Sequence, residues 1–381
     1  MYIDHHMAQK IVDRAMKITG CNVNVMDHQG VIIGSGDPAR LEQLHEGALN
    51  VLSSHGEVDI EHGQEGKLRG VRGGVNLPIF SQGEIVGVVG ITGDPEEVRR
   101  FADLVVMTAE LVVEQAALTA QVQWDRRQRE AVVLRLIEGG RRDSLFEDRV
   151  ARLGLDLRVP RVAVVLELTA DAGAQSPAQL QRWLAEREAG QGEVLGAMLS
   201  ARQLVLLYPV RLEQGAGWDR QRLRRLLVSE CRPFGDAVRL AVGDYLPGAD
   251  GLSGSYQLAV RALDVAARRS PELRYCEAGD MALDLLLFEA RDSWAGARLV
   301  QVLERLRGQD RQGVLEKTLN VYLEEQLDFG RTSERLHIHR NTLRYRLDKL
   351  ATALALDLNR PDDLLQLVVA KRLDGLRRRD D

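Results

Sequence analysis

Apolar residues recur at helical spacing at the start of the chain, at Ile11, Ala15 and Ile18, and give way after Gly20 to short β-rich runs. Val23-Asn24-Val25-Met26 and Val31-Ile32-Ile33 flank Asp27-His28-Gln29-Gly30, which predicts a hairpin. Leu41, Leu44, Ala48, Val51 and Leu52 return to helical spacing. A second hairpin is expected where Leu77 to Phe80 and Ile85 to Ile91 flank Ser81-Gln82-Gly83-Glu84. Its last strand carries glycines at 83, 87 and 90, which leave room for a ligand or another backbone. Asp94-Pro95-Glu96-Glu97 then has the composition of a helix start. The helix it opens is long. Phe101, Leu104, Thr108, Leu111, Gln115, Leu118 and Val122 alternate three and four apart. That stripe fits either a helix packed on its own sheet or a seam between two copies. The helix continues from Arg129 to Glu138 and is broken by Gly139-Gly140, with Arg141-Arg142-Asp143 marking a boundary.

The middle third alternates strand and helix. Val162 to Leu168 is a strand and Ala178 to Arg187 a helix. Val194 to Leu199 and Leu204 to Tyr208 are strands. Trp218 to Cys231 is a helix, Val238 to Val242 a strand and Ser255 to Ala267 a helix. The order βαββαβ is ferredoxin-like. The last third is helical. Leu315, Leu319, Tyr322, Leu323 and Leu327 share one face. Leu365, Val368, Val369, Arg372 and Leu376 share another, on a helix started by Pro361-Asp362-Asp363.

Composition narrows the function classes. The 381 residues carry a net charge of −5, so any footprint for nucleic acid must be local. No apolar run reaches the roughly 20 residues needed to span a bilayer, and the first residues do not read as a signal peptide. Cys21, Cys231 and Cys276 are far apart and form no CxxC pair, which points to three reduced thiols in a cytoplasmic protein with no metal and no cofactor.

The local basic footprint lies at Thr332 to Leu350. Thr332 or Ser333 can cap a short first helix, and Leu336 and Ile338 bracket a tight turn. Leu343, Leu347 and Leu350 give a second helix one apolar stripe, while its other face carries Arg340, Asn341, Arg344, Tyr345 and Lys349. A recognition helix needs this division. One face docks on the protein, and the other presents Arg or Asn to base edges in the major groove. His339, Arg340, Asn341 and Thr342 open that helix. Arg344, Arg346 and Lys349 further along suit phosphates. His337 and His339 have no third ligand nearby, so His339 is read as a polar residue starting the recognition helix.

The run Leu336 to Leu347 resembles the C-terminal helix-turn-helix of PucR-type regulators, and is also similar to the DNA-reading segment of Fis. Met7-Ala8-Gln9, Asn22 to Asp27, Ile32 to Asp37, Leu44 to Ala48 and Gly70 to Pro78 resemble the sugar diacid recognition domain, with Met107-Thr108-Ala109-Glu110 on the helix that follows. Together the two ends resemble the carbohydrate diacid regulator family. That resemblance implies a transcription activator of genes for uptake and breakdown of D-glucarate, D-galactarate and D-glycerate. It also implies a middle domain related to diguanylate cyclases. In an active cyclase a GG(D/E)EF loop joins the two central strands. Here that loop is Ser200-Ala201-Arg202-Gln203, without the acids that hold metal and substrate, so no enzymatic activity and no catalytic residues are expected.

A diacid pocket needs cations or converging N–H groups for the carboxylates, and amides or hydroxyls for the carbon chain. Gly34-Ser35-Gly36-Asp37 offers N–H groups that could form an anion nest, and Arg69 and Arg72 offer charge. Asn24, Ser35, His45 and Asn76 offer neutral polar contacts, and Gly73-Gly74 permits close approach of backbone. The chain therefore reads as multidomain α+β. Residues 1–138 form a mixed α/β, PAS/GAF-like sensor domain ending in a long linker helix. Residues 143–285 form a degenerate ferredoxin-like, GGDEF-related domain, and residues 295–381 an all-α helix-turn-helix domain. The expected partners are promoter DNA, a small organic acid effector and a second copy in a homodimer or higher homo-oligomer, and no membrane.

Overall fold

In the computed structural model, which describes residues 3–377 other than 55, 57, 61–70, 141, 170–176, 191–192 and 214–216, the chain divides after Arg127 into two units. Helix α1 (His5–Thr19) of the first unit starts at Asp4, whose carboxylate accepts from the Met7 amide at 2.7 Å, and stops at left-handed Gly20. Strands β1 (Val23–Met26) and β2 (Ile32–Ser35) form the first expected hairpin. Asp27 accepts from the amides of Gln29 and Val31 in its turn. Helix α2 spans Glu46–Ser54. Leu41 and Leu44, expected on this helix, lie before it and are exposed, because a single turn at Pro38–Arg40 ends the periodic segment early. A short strand β3 (Val58–Ile60), which no alternation announces, precedes β4 (Gly74–Ser81) and β5 (Glu84–Thr92). The β4–β5 turn has positive φ at both Gln82 and Gly83, the twist that suits a two-residue hairpin.

The sheet order is β2-β1-β5-β4-β3, with every neighbouring pair antiparallel. Side chains alternate across it. Val23, Val25, Val75, Leu77, Val89 and Ile91 face a core shared with α1 and the long helix, and Met26, Ile32 and Val88 face Ala48 and Val51 of α2. Asp94 caps as predicted, accepting from the Glu96 amide, but the helix it opens comes in pieces. Helix α3 (Pro95–Val98) is followed by a 3₁₀ turn and then by α4 (Ala102–Glu138). The stripe of α4 that packs on the sheet is Ala102, Val105, Ala109, Val112 and Val113. The stripe anticipated from spacing, Leu104, Leu111, Leu118 and Val122, faces away from the core and is exposed.

The second unit holds the last turns of α4 and then α5 (Ser144–Arg152), which Asp143 caps where only a boundary was foreseen. Strand β6 (Arg161–Leu168), α6 (Pro177–Gly190), β7 (Leu195–Ser200), β8 (Gln203–Pro209), α7 (Arg220–Glu230) and β9 (Val238–Val242) make the expected βαββαβ order. Helix α8 (Gly251–Arg269) follows, and β10 (Tyr275–Glu277) adds a parallel strand beyond β9, giving the order β10-β9-β6-β8-β7. The Ser200–Gln203 turn thus joins an edge strand to an inner one rather than two central strands. Arg202 folds back to donate to the Leu168 carbonyl at 3.2 Å.

The remaining helices are α9 (Ala282–Ala290), α10 (Trp294–Gln309), α11 (Val314–Glu324), α12 (Phe329–Arg335), α13 (Arg340–Leu354) and α14 (Pro361–Arg377). Val302, Leu303, Leu306, Leu319, Leu350, Leu354 and Leu367 form their core. Leu365, expected inside, is exposed. The buried face of α14 is instead Leu367, Ala370, Leu373, Asp374 and Leu376. Leu373 and Leu376 enter the core beneath the middle sheet. Asp374 takes two hydrogen bonds from Arg307, at 3.0 and 2.5 Å, and Glu316 takes two more from the same guanidinium. This bidentate pairing joins α10, α11 and α14.

Candidate nucleic-acid interface and ligand site

The helix-turn-helix is built from local hydrogen bonds. Asp328, rather than Thr332 or Ser333, caps α12, its Oδ1 accepting from the Arg331 amide at 2.8 Å. Thr332 and Ser333 are buried within the helix, and their hydroxyls donate to the carbonyls of Asp328 and Gly330. The turn closes through left-handed His337, with the Ile338 amide on the Ser333 carbonyl at 3.1 Å. His339 caps α13, its Nδ1 accepting from the Asn341 amide at 3.2 Å. Leu343 and Leu350 are buried, which fixes the outward face.

That face exposes His339, Arg340, Asn341, Thr342, Arg344, Tyr345 and Lys349. The Lys349 ammonium lies 4.7 Å from the Tyr345 ring centre, a cation–π pair one turn apart. Arg346 differs. It is half-buried, and its Nη1 reaches Thr318 Oγ1 of α11 at 3.5 Å. Arg335 of α12 is engaged by Glu324 and Glu325. The exposed group therefore brings hydrogen-bonding side chains and cations together on one face of one helix, at and beyond its N-terminus.

In the first unit the strand register does what the sequence does not display. Ser35 pairs with Asn24 across β2 and β1, Asn24 with Gly90 across β1 and β5, and Gly90 with Asn76 across β5 and β4. Paired residues point to the same side, so these four form one transverse polar row on the α2 face of the sheet. Asn24, Ser35, His45 and Asn76 are all buried. The Ser35 hydroxyl donates to Asn24 Oδ1 at 2.7 Å and accepts from the Asp37 amide at 3.0 Å. Gly90 is the gap in the row. A Cβ there would stand 2.6 Å from Asn76 Oδ1, so the Asn76 amide lies across the glycine.

His45 precedes α2, and its Nδ1 accepts from the Ala48 amide at 3.2 Å. Its proton therefore sits on Nε2, which is a donor. Burial, reinforced by the nearby Arg40 charge, pushes its pKa down to about 4, so it is neutral near pH 7. A Cβ on Gly47 would stand 3.0 Å from His45 and 3.3 Å from the Asn76 amide, which places the first turn of α2 over the row.

Two cations stand beside it. Arg40 is buried, and its pKa is lowered by burial and by the Arg72 charge and raised by Asp37. Arg72 is exposed and pairs with Asp37 at 3.3 Å. Arg40 was absent from the sequence-based set. Its only signal was a cation three residues after Asp37, on a turn whose inward direction depends on the tertiary fold. The expected anion nest is not open, since the amides of Ser35, Gly36 and Asp37 bond to Gln9, Val23 and Ser35 Oγ. Gly36 is exposed, and Gly74 is needed for the sheet because a Cβ there would run into the Ile91 carbonyl. Arg69 lies outside the described residues.

Three family matches divide the chain. Sugar diacid recognition covers residues 3–136, a GGDEF-like domain residues 138–265, and the PucR C-terminal helix-turn-helix domain residues 315–373. The chain is 39% identical over 382 residues to the carbohydrate diacid regulator of Escherichia coli (strain K12), covering 98% of each. It is 35% identical over 375 residues to an uncharacterized protein of Haemophilus influenzae, covering 98% of this chain and 100% of that one. It is 28% identical over 137 residues to the purine catabolism regulatory protein of Bacillus subtilis, covering 33% of this chain and 26% of that one. Among the described residues no helix is long and apolar enough to cross a membrane.

Proposed function

The chain belongs to the carbohydrate diacid regulator family, a family of helix-turn-helix transcription regulators of sugar diacid metabolism, and we propose that it activates its target genes on binding D-glucarate, D-galactarate or D-glycerate in the first unit. The observation that carries this reading is the polar row Ser35–Asn24–Gly90–Asn76 beside Arg40 and Arg72. A carboxylate entering there competes with Asp37 for Arg72 and offsets the repulsion between the two guanidinium groups. The Asn24 and Asn76 amides, the Ser35 hydroxyl and His45 Nε2–H are suited to the hydroxyls along the carbon chain. The antiparallel sheet with helices on both faces supports a PAS/GAF-like sensor.

Val23, Val25, Val75, Val89 and Ile91 alternate with the row and pack with α4 on the opposite face. Effector binding on one face then biases α4 through these strands, and differential affinity for the two arrangements is the driving force. At the DNA, Arg340 and Asn341 read base edges, Thr342 and Tyr345 flank them, and Arg344, Lys349 and part of Arg346 serve phosphates. The middle domain keeps the cyclase-like order without an acidic turn, which supports a role other than nucleotide synthesis.

Calorimetric titration of the full chain with the three acids, with allantoin and glucose as controls, tests the effector. Saturable binding of an acid alone is the expected result. Binding of allantoin instead would move the chain to a purine-catabolite sensor.

A further inference from the structure

Helix α4 carries two apolar stripes, and the sheet of its own unit covers only one. The covered stripe is Ala102, Val105, Ala109, Val112 and Val113. The other leaves Leu104 40%, Met107 51%, Leu111 56%, Leu118 58% and Val122 68% exposed. The three leucines recur every seven residues, the repeat by which two helices keep one seam in contact. Beside the seam lies a cavity of about 340 Å³ between β4 and α4, lined by Leu77, Pro78, Phe80, Val106 and Met107. The Glu110 carboxylate closes its edge by accepting from the Phe80 amide at 3.3 Å.

We propose that this stripe is the interface for a second copy of the chain, paired in parallel through Leu104, Leu111, Leu118 and Val122. The occupant follows from the pattern. The five side chains leave roughly 500 Å² exposed per copy, so a symmetric pair that covered them fully would bury about 1,000 Å², the lower limit for a specific interface. A seven-residue leucine repeat is complementary to itself, because a parallel two-fold pair sets each leucine against its own copy. Gln115 flanks the stripe and is exposed. In a parallel pair its amide meets another amide, which can both donate and accept, whereas an antiparallel pair would set it against leucine. The parallel sense rests on the DNA-binding reading, since two helix-turn-helix modules on adjacent half-sites must leave the pair at the same end. The pairing itself does not rest on it.

The test uses the full chain. Sedimentation equilibrium at micromolar concentration is expected to give twice the chain mass. Leu111→Glu and Leu118→Glu, both at exposed positions, are expected to weaken self-association at least roughly tenfold while leaving the secondary structure, read by circular dichroism, unchanged, and to remove the rise of the unfolding temperature with protein concentration. Leu104→Cys and Leu118→Cys are each expected to cross-link to their own copy on mild oxidation, with the unsubstituted chain as control for Cys21, Cys231 and Cys276. A monomeric mass for the natural chain overturns the interface. So does a dimer that both glutamate variants leave intact. Cross-linking only in the Leu104→Cys/Leu118→Cys double variant overturns the parallel sense. Effector titration and binding to a single half-site are read separately, so failure of the regulatory reading stays distinguishable from failure of the interface.

Discussion

Gly90→Ala is the sharpest perturbation of the proposed effector site, because it adds one methyl group and changes no charge. The added Cβ would stand 2.6 Å from Asn76 Oδ1, while ordinary carbon–oxygen contact begins near 3.4 Å. The Asn76 amide must therefore swing by about 1 Å, enough to misalign a hydrogen bond whose useful range is only a few tenths of an ångström wide. If that amide binds the effector, losing its bond inside a buried site costs about 1–3 kcal/mol. At 1.4 kcal/mol per tenfold, the effector Kd rises roughly 5- to 150-fold. Overpacking of the sheet face costs folding stability on the same scale, about 1–3 kcal/mol. The assay is calorimetric titration of the full-length variant with the acid that the natural chain binds, alongside urea unfolding. A variant that binds with unchanged affinity refutes the placement of the effector on the row, whether or not stability falls. Unchanged stability together with unchanged affinity refutes the packing at Gly90 as well.

Arg40→Gln and Arg72→Ala are expected to weaken effector binding at least tenfold while leaving effector-independent DNA affinity intact. Titration and DNA binding measured side by side check both halves. Arg340→Ala is expected to weaken operator binding and relax base choice at one position. Lys349→Ala should lower affinity evenly across sequences and reduce the slope of log K against log salt by about 1, measured by binding at several ionic strengths. His45 binds its proton less readily folded, at about 4, than unfolded, near 6.5. Its contribution to stability is therefore complete above about pH 6.5 and is lost as pH falls toward 4. About 3 kcal/mol is at stake, and urea unfolding across that window should show a shallower decline in His45→Gln.

Most of the DNA-binding segment was legible in the sequence. A helix-turn-helix is short, and its information is local. The 3.6-residue period put Leu343, Leu347 and Leu350 on one side of α13 and the cations on the other, and His339 stood where a cap must stand. Even there the start of α12 was misread, because Thr332 and Ser333 have capping chemistry but are buried in the helix, and Asp328 supplies the cap. The middle domain's strand order was equally readable, whereas β10 was not, since three residues carry no period of their own. The proposed ligand site was legible only as a set of residue types. Asn24, Ser35 and Asn76 are up to 52 positions apart in the chain, and only the antiparallel register aligns them with Gly90. Arg40 belongs to no pattern in the sequence, and only the fold buries it. The stripe on α4 marks the same divide. Spacing alone determined that Leu104, Leu111 and Leu118 lie on one line, because that follows from helical geometry. Which stripe the sheet covered was decided by tertiary packing, since the angle at which α4 meets β4 and β5 depends on contacts between segments that the sequence holds apart.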